Sequence, residues 1–167
     1  MAVTADQIKE LREQTGAGVM DCKRALEASD GDIEKAKRFL AEQGLAMAEK
    51  KAHRETAQGL VESYIHAGGR IGVLVEVNCE TDFVARTPEF QTLAREIAMQ
   101  VAAMNPLVVN EEDLPEGAEG PTDQLVLMRQ PYIRDQSKDV RQLVNEAIGK
   151  TGENIRVKRF TRFELGE

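Results

Sequence analysis

The segment Glu80–Arg86 carries a mixture of side chains that the surrounding composition does not explain. Thr81 can cap a short helical turn made by Asp82–Arg86, because threonine hydroxyls accept hydrogen bonds from the free N–H groups at a helix start. We therefore expect a rigid tip that projects from the end of the preceding strand. Two interpretations of its apolar residues stay open: Phe83 and Val84 fold back under the following helix, as isolated apolar residues usually do, or they remain on the tip.

Residues capable of bond chemistry do not fall into a catalytic pattern. His53 and His66 are isolated, with no Cys, His or carboxylate at the spacing of metal ligands. Gly149-Lys150-Thr151 resembles the end of a phosphate-binding loop, but Val144 stands where that loop requires glycine. We predict a protein without enzyme activity, with no catalytic residue, no metal site and no cofactor.

The two cysteines, Cys22 and Cys79, lie at positions where the local apolar pattern favours a small buried residue. A disulfide requires an oxidising compartment, which nothing else in the sequence indicates. We therefore expect two reduced cysteines in the core.

The charge balance is acidic: 29 Asp and Glu oppose 22 Lys and Arg, for a formal net charge of −7. Such a chain is repelled by nucleic-acid phosphates, so we expect no direct nucleic-acid partner. It has no apolar run long enough to cross a membrane, and its first residues lack the basic and apolar regions of a signal peptide. We expect a cytoplasmic protein that does not bind membranes; an organellar stroma or matrix stays open if a targeting peptide was removed.

Residues 1–44 predict a compact domain of three helices. Thr4 and Gln7 form a capping box, and apolar residues then recur at helical spacing in three short segments. Three glycines are expected to end these segments: Gly16, Gly31 and Gly44. Residues 45–58 follow as a helical linker rich in Ala, Lys and Glu, which Gly59 ends.

Residues 59–167 predict an α+β core domain. Alternate residues of Ile71–Cys79 are apolar and mostly β-branched, which indicates a strand with one buried face. Residues 60–66 can pair with it across a Gly-Gly turn, and Thr87-Pro88 starts a long helix that Asn105-Pro106 closes. The sheet and this helix should pack together.

The end of the core begins with an acidic loop at about residues 107–123, which contains six acids and no Lys or Arg. We expect Ser137 to cap the next helix and Gly149 to end it. The final strand, at residues 155–165, should place Ile155, Val157, Phe163 and Leu165 on one face and Arg156, Lys158 and Arg162 on the other. The predicted fold is thus α+β, a three-helix bundle followed by an antiparallel three-stranded sheet packed with helices.

Three parts of the sequence resemble the elongation factor Ts family. Residues 8–26 are similar to the N-terminal signature of that family, and residues 75–85, which include the tip, resemble its second signature. A third similarity runs from Gln130 through Gly152–Ile155 to Phe160. The matches occur in the family's order and span nearly the whole chain.

This resemblance implies a guanine nucleotide exchange factor for elongation factor Tu in translation. In the family, the N-terminal bundle, which is similar to ubiquitin-associated domains, docks on the GTPase domain, while a Thr-Asp-Phe-Val tip disturbs the magnesium and phosphate site. Carried onto this chain, the exchange tip is Thr81, Asp82, Phe83 and Val84, and the docking contacts are Arg12, Met20 and Lys23.

The resemblance also implies an oligomeric state. Longer members of the family carry two related core halves, whereas this chain resembles a short form with one half and an abbreviated segment around residues 112–128. Shorter members act as homodimers. We therefore expect a homodimer in which a second copy supplies the missing half.

Two other functions compete with nucleotide exchange. The first is a ubiquitin-associated-like module that binds proteins without exchange activity, and it would leave nucleotide release unchanged. The second is a small enzyme, which would need a polar pocket with strongly perturbed titratable groups.

Overall fold

Residues 3–167, which the computed structural model describes, form seven α-helices, five strands and two short 3-10 turns. The helices are α1 (Ala5–Thr15), α2 (Val19–Ala28), α3 (Ile33–Lys51), α4 (Asp82–Ala85), α5 (Pro88–Met104), α6 (Thr122–Leu125) and α7 (Val140–Thr151). The strands are β1 (Gln58–Ile65), β2 (Ile71–Cys79), β3 (Pro131–Tyr132), β4 (Asp135–Asp139) and β5 (Ile155–Glu164). The predicted α+β class is confirmed.

Helices α1 to α3 form the N-terminal bundle. The capping box of Thr4 and Gln7 starts α1, and Gly16, in the left-handed region at φ 67°, ends it as predicted. The bundle has its own small core, made by Leu11, Cys22, Ala25, Leu26 and Ala36. Such a core is too small to give much stability by itself, so packing of α3 against the rest of the chain matters.

The predictions that Gly44 and Gly149 end helices are wrong. Helix α3 passes through Gly44 to Lys51, and α7 passes through Gly149 to Thr151. A Cβ at Gly44 would lie 3.1 Å from the Asn145 carbonyl oxygen of α7, and a Cβ at Gly149 would lie 3.4 Å from the Gly44 Cα. Both glycines therefore allow the two helix backbones to approach closely.

The region predicted as a helical linker is divided between two elements. Residues 45–51 are the last turns of α3, and β1 already begins at Gln58. Gly59 does not end a helix; it lies inside β1, where a Cβ would overlap the Val77 carbonyl oxygen. The division into domains at 1–44, 45–58 and 59–167 stays a prediction.

The three-stranded sheet has the order β1-β2-β5, and both pairings are antiparallel, as predicted. Val73, Val75, Val77 and Cys79 line the inner face of β2 and are buried against α5 and α7 in the main core. Helix α5 begins at the Thr87 cap and ends at Asn105 in the left-handed region, which confirms both predicted boundaries.

The predicted faces of β5 are correct only for its first half. The pairing with β2 shifts so that Glu76 faces Arg159 while Val77 faces Val157, and Lys158 forms the extra residue of a bulge. One extra residue reverses the alternation, which makes Arg162 an inward residue that donates to the Ala102 carbonyl oxygen of α5 at 3.2 Å. Phe163 and Leu165, predicted to share a face with Ile155 and Val157, are exposed, whereas Ile155 and Val157 are buried.

Between α5 and α7 the chain is mostly irregular. The acidic loop contains the 3-10 turn Glu111–Asp113, and an isolated bridge pairs its Val108 with Val126 beyond the loop. The short hairpin β3-β4 was not predicted. Ser137 lies in β4, and the N-cap of α7 is Asp139, whose carboxylate accepts from the Gln142 N–H at 2.8 Å.

Candidate functional site

The tip lies at the end of β2 and consists of the one-turn helix α4 with its cap. The Thr81 hydroxyl accepts from the Val84 N–H at 3.4 Å, as predicted for the cap. Phe83 is 79% exposed, whereas Val84 is half-buried and packs against the main core. Of the two interpretations of the apolar residues, packing holds for Val84 and projection holds for Phe83.

Asp82 forms an ion pair with Arg86, the residue that follows α4. Its carboxylate lies 3.0 Å from the Arg86 guanidinium, and both groups are open to solvent. Exposed ion pairs of this kind contribute little stability, so Asp82 is free to exchange this partner for another.

Glu153 holds the base of the tip. Its Oε2 accepts hydrogen bonds from the backbone N–H groups of Glu80 and Thr81, both at 3.0 Å. Its Oε1 accepts from the Thr81 hydroxyl at 2.5 Å. On the inner side, the Cys79 thiol donates to the Thr81 carbonyl oxygen at 3.1 Å, and burial raises the pKa of this thiol to about 11.

A second set of polar contacts surrounds Glu80. Its carboxylate accepts from the Asn154 N–H at 2.7 Å and lies 3.4 Å from the Arg54 guanidinium. The side-chain amide of Asn154 in turn donates to the backbone carbonyl oxygen of Arg54 at 2.8 Å. The Asn154 hydrogen bond, aided by Arg54, lowers the pKa of Glu80 from its ordinary value.

These contacts join three separate parts of the chain at the tip: the end of β2, the α7–β5 connection and the residues after α3. Sequence reasoning missed Glu153, because it lies 72 and 73 residues from its partners Thr81 and Glu80. One signal was present: the connection falls within Gly152–Ile155, part of the third stretch that resembles the family.

The predicted docking residues lie on α1 and α2. An open groove of about 490 Å³ runs between these helices, lined by Ala5, Ile8, Lys9, Arg12, Glu13 and Val19. Met20, next to Val19, is 64% exposed, and Lys23 is exposed on the following turn, 3.8 Å from Glu27. Arg12, Met20 and Lys23 are the residues predicted to dock; together with Val19 and this groove they form what we call the docking surface.

Helix α7 makes contacts with the N-terminal bundle and leads directly into the residues that hold the tip. It packs against α3 at Gly44, and its Lys150 ammonium lies so close to the end of α1 that a Cβ at Gly16 would be 3.0 Å away. Its last residues lead into Gly152, whose carbonyl accepts from Lys51, and then into Glu153. The bundle and the tip are therefore attached to one common frame.

The groups at the two surfaces are suited to contact with a partner protein. An exposed aromatic ring on a well-held turn, and an apolar groove bordered by charges, are features of protein interfaces. Within residues 3–167, no three His, Cys, Asp or Glu side chains are grouped so that they could hold a metal ion.

The family model described as Elongation factor TS matches residues 21–119, more than half of the chain. The chain belongs to the elongation factor Ts family. It is 52% identical to Elongation factor Ts of Thermotoga neapolitana, with 100% of this chain and 99% of that protein aligned. The corresponding proteins of Thermotoga maritima and Heliobacterium modesticaldum are 50% and 49% identical, with 100% and 99% of this chain and 98% and 91% of those proteins aligned.

The chain is shorter than the family members it matches. The alignment with the Thermotoga neapolitana protein has 195 positions, and this chain has 167 residues, so 28 aligned positions have no residue here. The family match ends at residue 119, inside the region 112–128 where we expect the abbreviated segment. In the part of the chain that the structure describes, no helix is long and apolar enough to cross a membrane.

Proposed function

We propose that the protein is a guanine nucleotide exchange factor that binds elongation factor Tu and accelerates release of GDP during translation elongation. The observation that carries this proposal is the position of Phe83: a large apolar side chain is 79% exposed on a tip whose base is held by Glu153. Membership of the elongation factor Ts family supports the same function.

In the proposed mechanism, the docking surface binds the GTPase domain and brings the tip to the nucleotide site. Phe83 enters as a wedge that displaces side chains around the bound Mg²⁺ and the phosphates. Asp82 gives up its surface ion pair with Arg86 and competes for hydrogen bonds nearby. Both contacts form only when the Mg²⁺ and phosphate site of the GTPase rearranges, so binding favours the nucleotide-free GTPase.

The effect on GDP follows from thermodynamic linkage. A factor that binds the empty GTPase more tightly must weaken nucleotide binding by the same ratio, and GTP can then displace the factor. A coupling free energy of roughly 4 kcal/mol corresponds to about a thousandfold weaker GDP binding. No covalent bond changes, so the protein acts without a catalytic residue, a cofactor or a metal of its own.

The homodimer is part of this proposal. Four apolar residues stand exposed on the outer face of the sheet, opposite α5: Val61, Ile65, Leu74 and Phe163. Phe163 is 72% exposed, and an apolar face of this kind is normally covered by a partner. A second copy is the occupant we propose, because the chain resembles a short form of the family with one core half, and a two-fold pairing of this face would supply a second layer.

The remaining features of the proposal follow from charge and relationship. The net charge of −7 favours protein partners over direct contact with nucleic acid. The relatives named above are bacterial proteins, and we propose the cytoplasm as the working compartment.

The decisive experiment measures release of fluorescent GDP from elongation factor Tu by stopped flow, with increasing amounts of the protein. We expect the release rate to rise with concentration and to reach a plateau at least about a hundredfold above the spontaneous rate. A protein that binds elongation factor Tu in calorimetry but leaves this rate unchanged would be a binding module of the ubiquitin-associated type, and the exchange function would be rejected.

A further inference from the structure

Glu153 is the residue that connects the tip to the rest of the molecule. It follows Gly152, which ends α7 in the left-handed region at φ 73°, and it stands just before β5. The abrupt turn at Gly152 directs the Glu153 side chain back to the end of β2, where its carboxylate accepts three hydrogen bonds. Two come from the backbone N–H groups of Glu80 and Thr81, and one comes from the Thr81 hydroxyl.

These three hydrogen bonds act on the residue that starts α4. A carboxylate accepts stronger hydrogen bonds than a neutral oxygen, so Glu153 fixes the backbone at Glu80 and Thr81. It also orients the Thr81 hydroxyl, because the proton points at Glu153 and the lone pairs remain free for the Val84 N–H. The direction of Asp82–Ala85, and hence of Phe83, is set by Thr81.

A four-residue helix cannot hold this geometry alone. Isolated helices of this length are unstable in water, because a single turn does not offset the conformational entropy lost in forming it. Val84 packs against the core, but Phe83 is exposed and adds no packing to hold the turn. The conformation of the tip therefore depends on what fixes its first residues.

We propose that Glu153 is a positioning residue for nucleotide exchange: it holds the Thr81–Val84 tip in the conformation in which Phe83 can enter the GTPase. This inference rests on the proposed function and adds a residue outside the tip to its machinery. Glu153 acts only through Thr81 and Glu80. A tip without it must be ordered by the partner during binding, and the free energy spent on that ordering is lost from displacement of the nucleotide.

This role predicts a specific kinetic signature. The concentration of half-maximal exchange is governed by the docking surface on α1 and α2, which Glu153 does not contact. The maximal release rate is governed by the tip. We expect Glu153→Ala to lower the maximal rate of GDP release about tenfold and to change the half-saturating concentration less than twofold.

Three variants form the test: Glu153→Ala, Glu153→Gln and Glu146→Ala. Glutamine keeps a carbonyl oxygen for the two backbone N–H groups, so E153Q should recover the rate to within about threefold of the wild type. Glu146 is the matched control, because it is a carboxylate of α7 that pairs with Lys138 at 2.8 Å, far along the helix from the tip connection. E146A should exchange GDP at the wild-type rate.

Amide hydrogen exchange, followed by NMR on the free protein, measures positioning without any GTPase. In E153A the Glu80 and Thr81 amides should exchange at least about tenfold faster than in the wild type, while amides of α5 keep their protection. In E153Q they should stay largely protected. This measurement also separates the present inference from the proposed function on which it rests.

The outcomes are distinct. An unchanged maximal release rate and protected Glu80 and Thr81 amides in E153A would overturn the positioning role. An equal fall of the maximal release rate in E153A and E153Q, with amide protection lost across α5 as well, would also overturn it. Exposed tip amides in E153A together with Phe83→Ala at the wild-type exchange rate would reject the exchange function of the tip and, with it, any role of Glu153 in exchange. Faster amide exchange, a lower maximal rate and recovery in E153Q support the proposal.

Discussion

The predicted docking surface and the predicted exchange tip both present an exposed apolar side chain, but the chain holds them in opposite ways. Met20 stands on a helix that begins and ends within its own segment, in a bundle whose first helix is bounded by Thr4 and Gly16. Phe83 stands on a single turn whose base is held by Glu153, and Glu153 lies 72 residues from Thr81 in sequence. The first surface depends on local sequence and the second on the assembled fold.

This difference indicates a division of labour. A surface built on ordinary helices can supply affinity with little requirement for exact geometry. A tip that must enter a nucleotide site has to be held in one direction before contact, because ordering it during contact weakens its effect. Affinity and maximal exchange rate should therefore respond to different mutations.

The largest expected effect is that of Phe83→Ala, which tests the tip. The maximal rate of GDP release should fall about a hundredfold, while the free energy of unfolding changes by under about 1 kcal/mol, as for surface substitutions. Stopped-flow release of fluorescent GDP and the thermal midpoint give the two quantities.

Two variants calibrate this result. Phe90→Ala removes the same side chain from a fully buried position and should cost about 3 to 5 kcal/mol of stability. Leu107→Ala removes an exposed apolar side chain outside both surfaces and should leave exchange unchanged. If F83A lowers the midpoint as F90A does, yet exchanges fully while folded, Phe83 is a packing residue and the tip assignment is wrong.

The next effect concerns the docking surface. Replacing both Met20 and Lys23 by Ala should weaken binding to elongation factor Tu about tenfold and leave the maximal release rate within twofold, because the tip is intact. Calorimetry gives the affinity, and Met104→Ala with Lys37→Ala serves as a control pair from other helices. A double variant with wild-type affinity would move the docking surface elsewhere on the molecule.

A smaller effect, a factor of two in mass, concerns the sheet. Light scattering at micromolar concentration should report about twice 18.5 kDa for the wild type. Phe163→Asp buries a charge in the proposed interface and should give the monomer mass, whereas Leu107→Asp should not. A wild-type monomer with full exchange activity would show that the outer face of the sheet needs no second copy.

The smallest expected effect is a pH dependence of stability at the tip base. The Asn154 and Arg54 contacts lower the pKa of Glu80 below its ordinary value of 4.5, so its contribution to stability is present above that pH. The contribution is lost as the pH falls through the lowered value. The thermal midpoint of Glu80→Gln should be about 2 °C below the wild type at pH 7, and the two should converge in strong acid.

The exposed Glu119 supplies the matched control for this experiment, because it lies in the acidic loop away from the tip. Glu119→Gln should melt with the wild type at both pH values. A Glu80→Gln difference that persists unchanged in acid would mean that the lost stability comes from packing and not from the charge of the carboxylate.

Local signals made much of the fold predictable. The alternation in β2, the caps at Thr4 and Thr87 and the turn before β2 depend on neighbouring residues, and the structure has them as predicted. The errors have long-range causes. Gly44 is the residue type that often ends a helix, but here it lies where α3 and α7 approach closely. The bulge at Lys158, which leaves Phe163 exposed, arises from the pairing of β5 with β2.

The candidate site shows the same limit. Thr81 and the projection of the tip could be inferred from the residues around it, since a cap is a local structure. Glu153 and Asn154 could not, because nothing in their own segment indicates that they contact residues at the end of β2. The residues of the tip itself could be named from its sequence and from the family resemblance, and those that hold the tip in place could not.

Helix α3, which crosses α7 at Gly44, sets the distance and the rotation between the N-terminal bundle and the tip. This helix carries the docking bundle at one end, and Lys51 and Arg54 at its other end reach the Gly152 and Glu80 that flank Glu153. An α-helix advances 1.5 Å and turns about 100° with every residue. A single residue inserted into α3 before Gly44 would therefore turn the predicted docking surface by about 100° around the helix axis relative to the tip, while each surface keeps its own internal contacts.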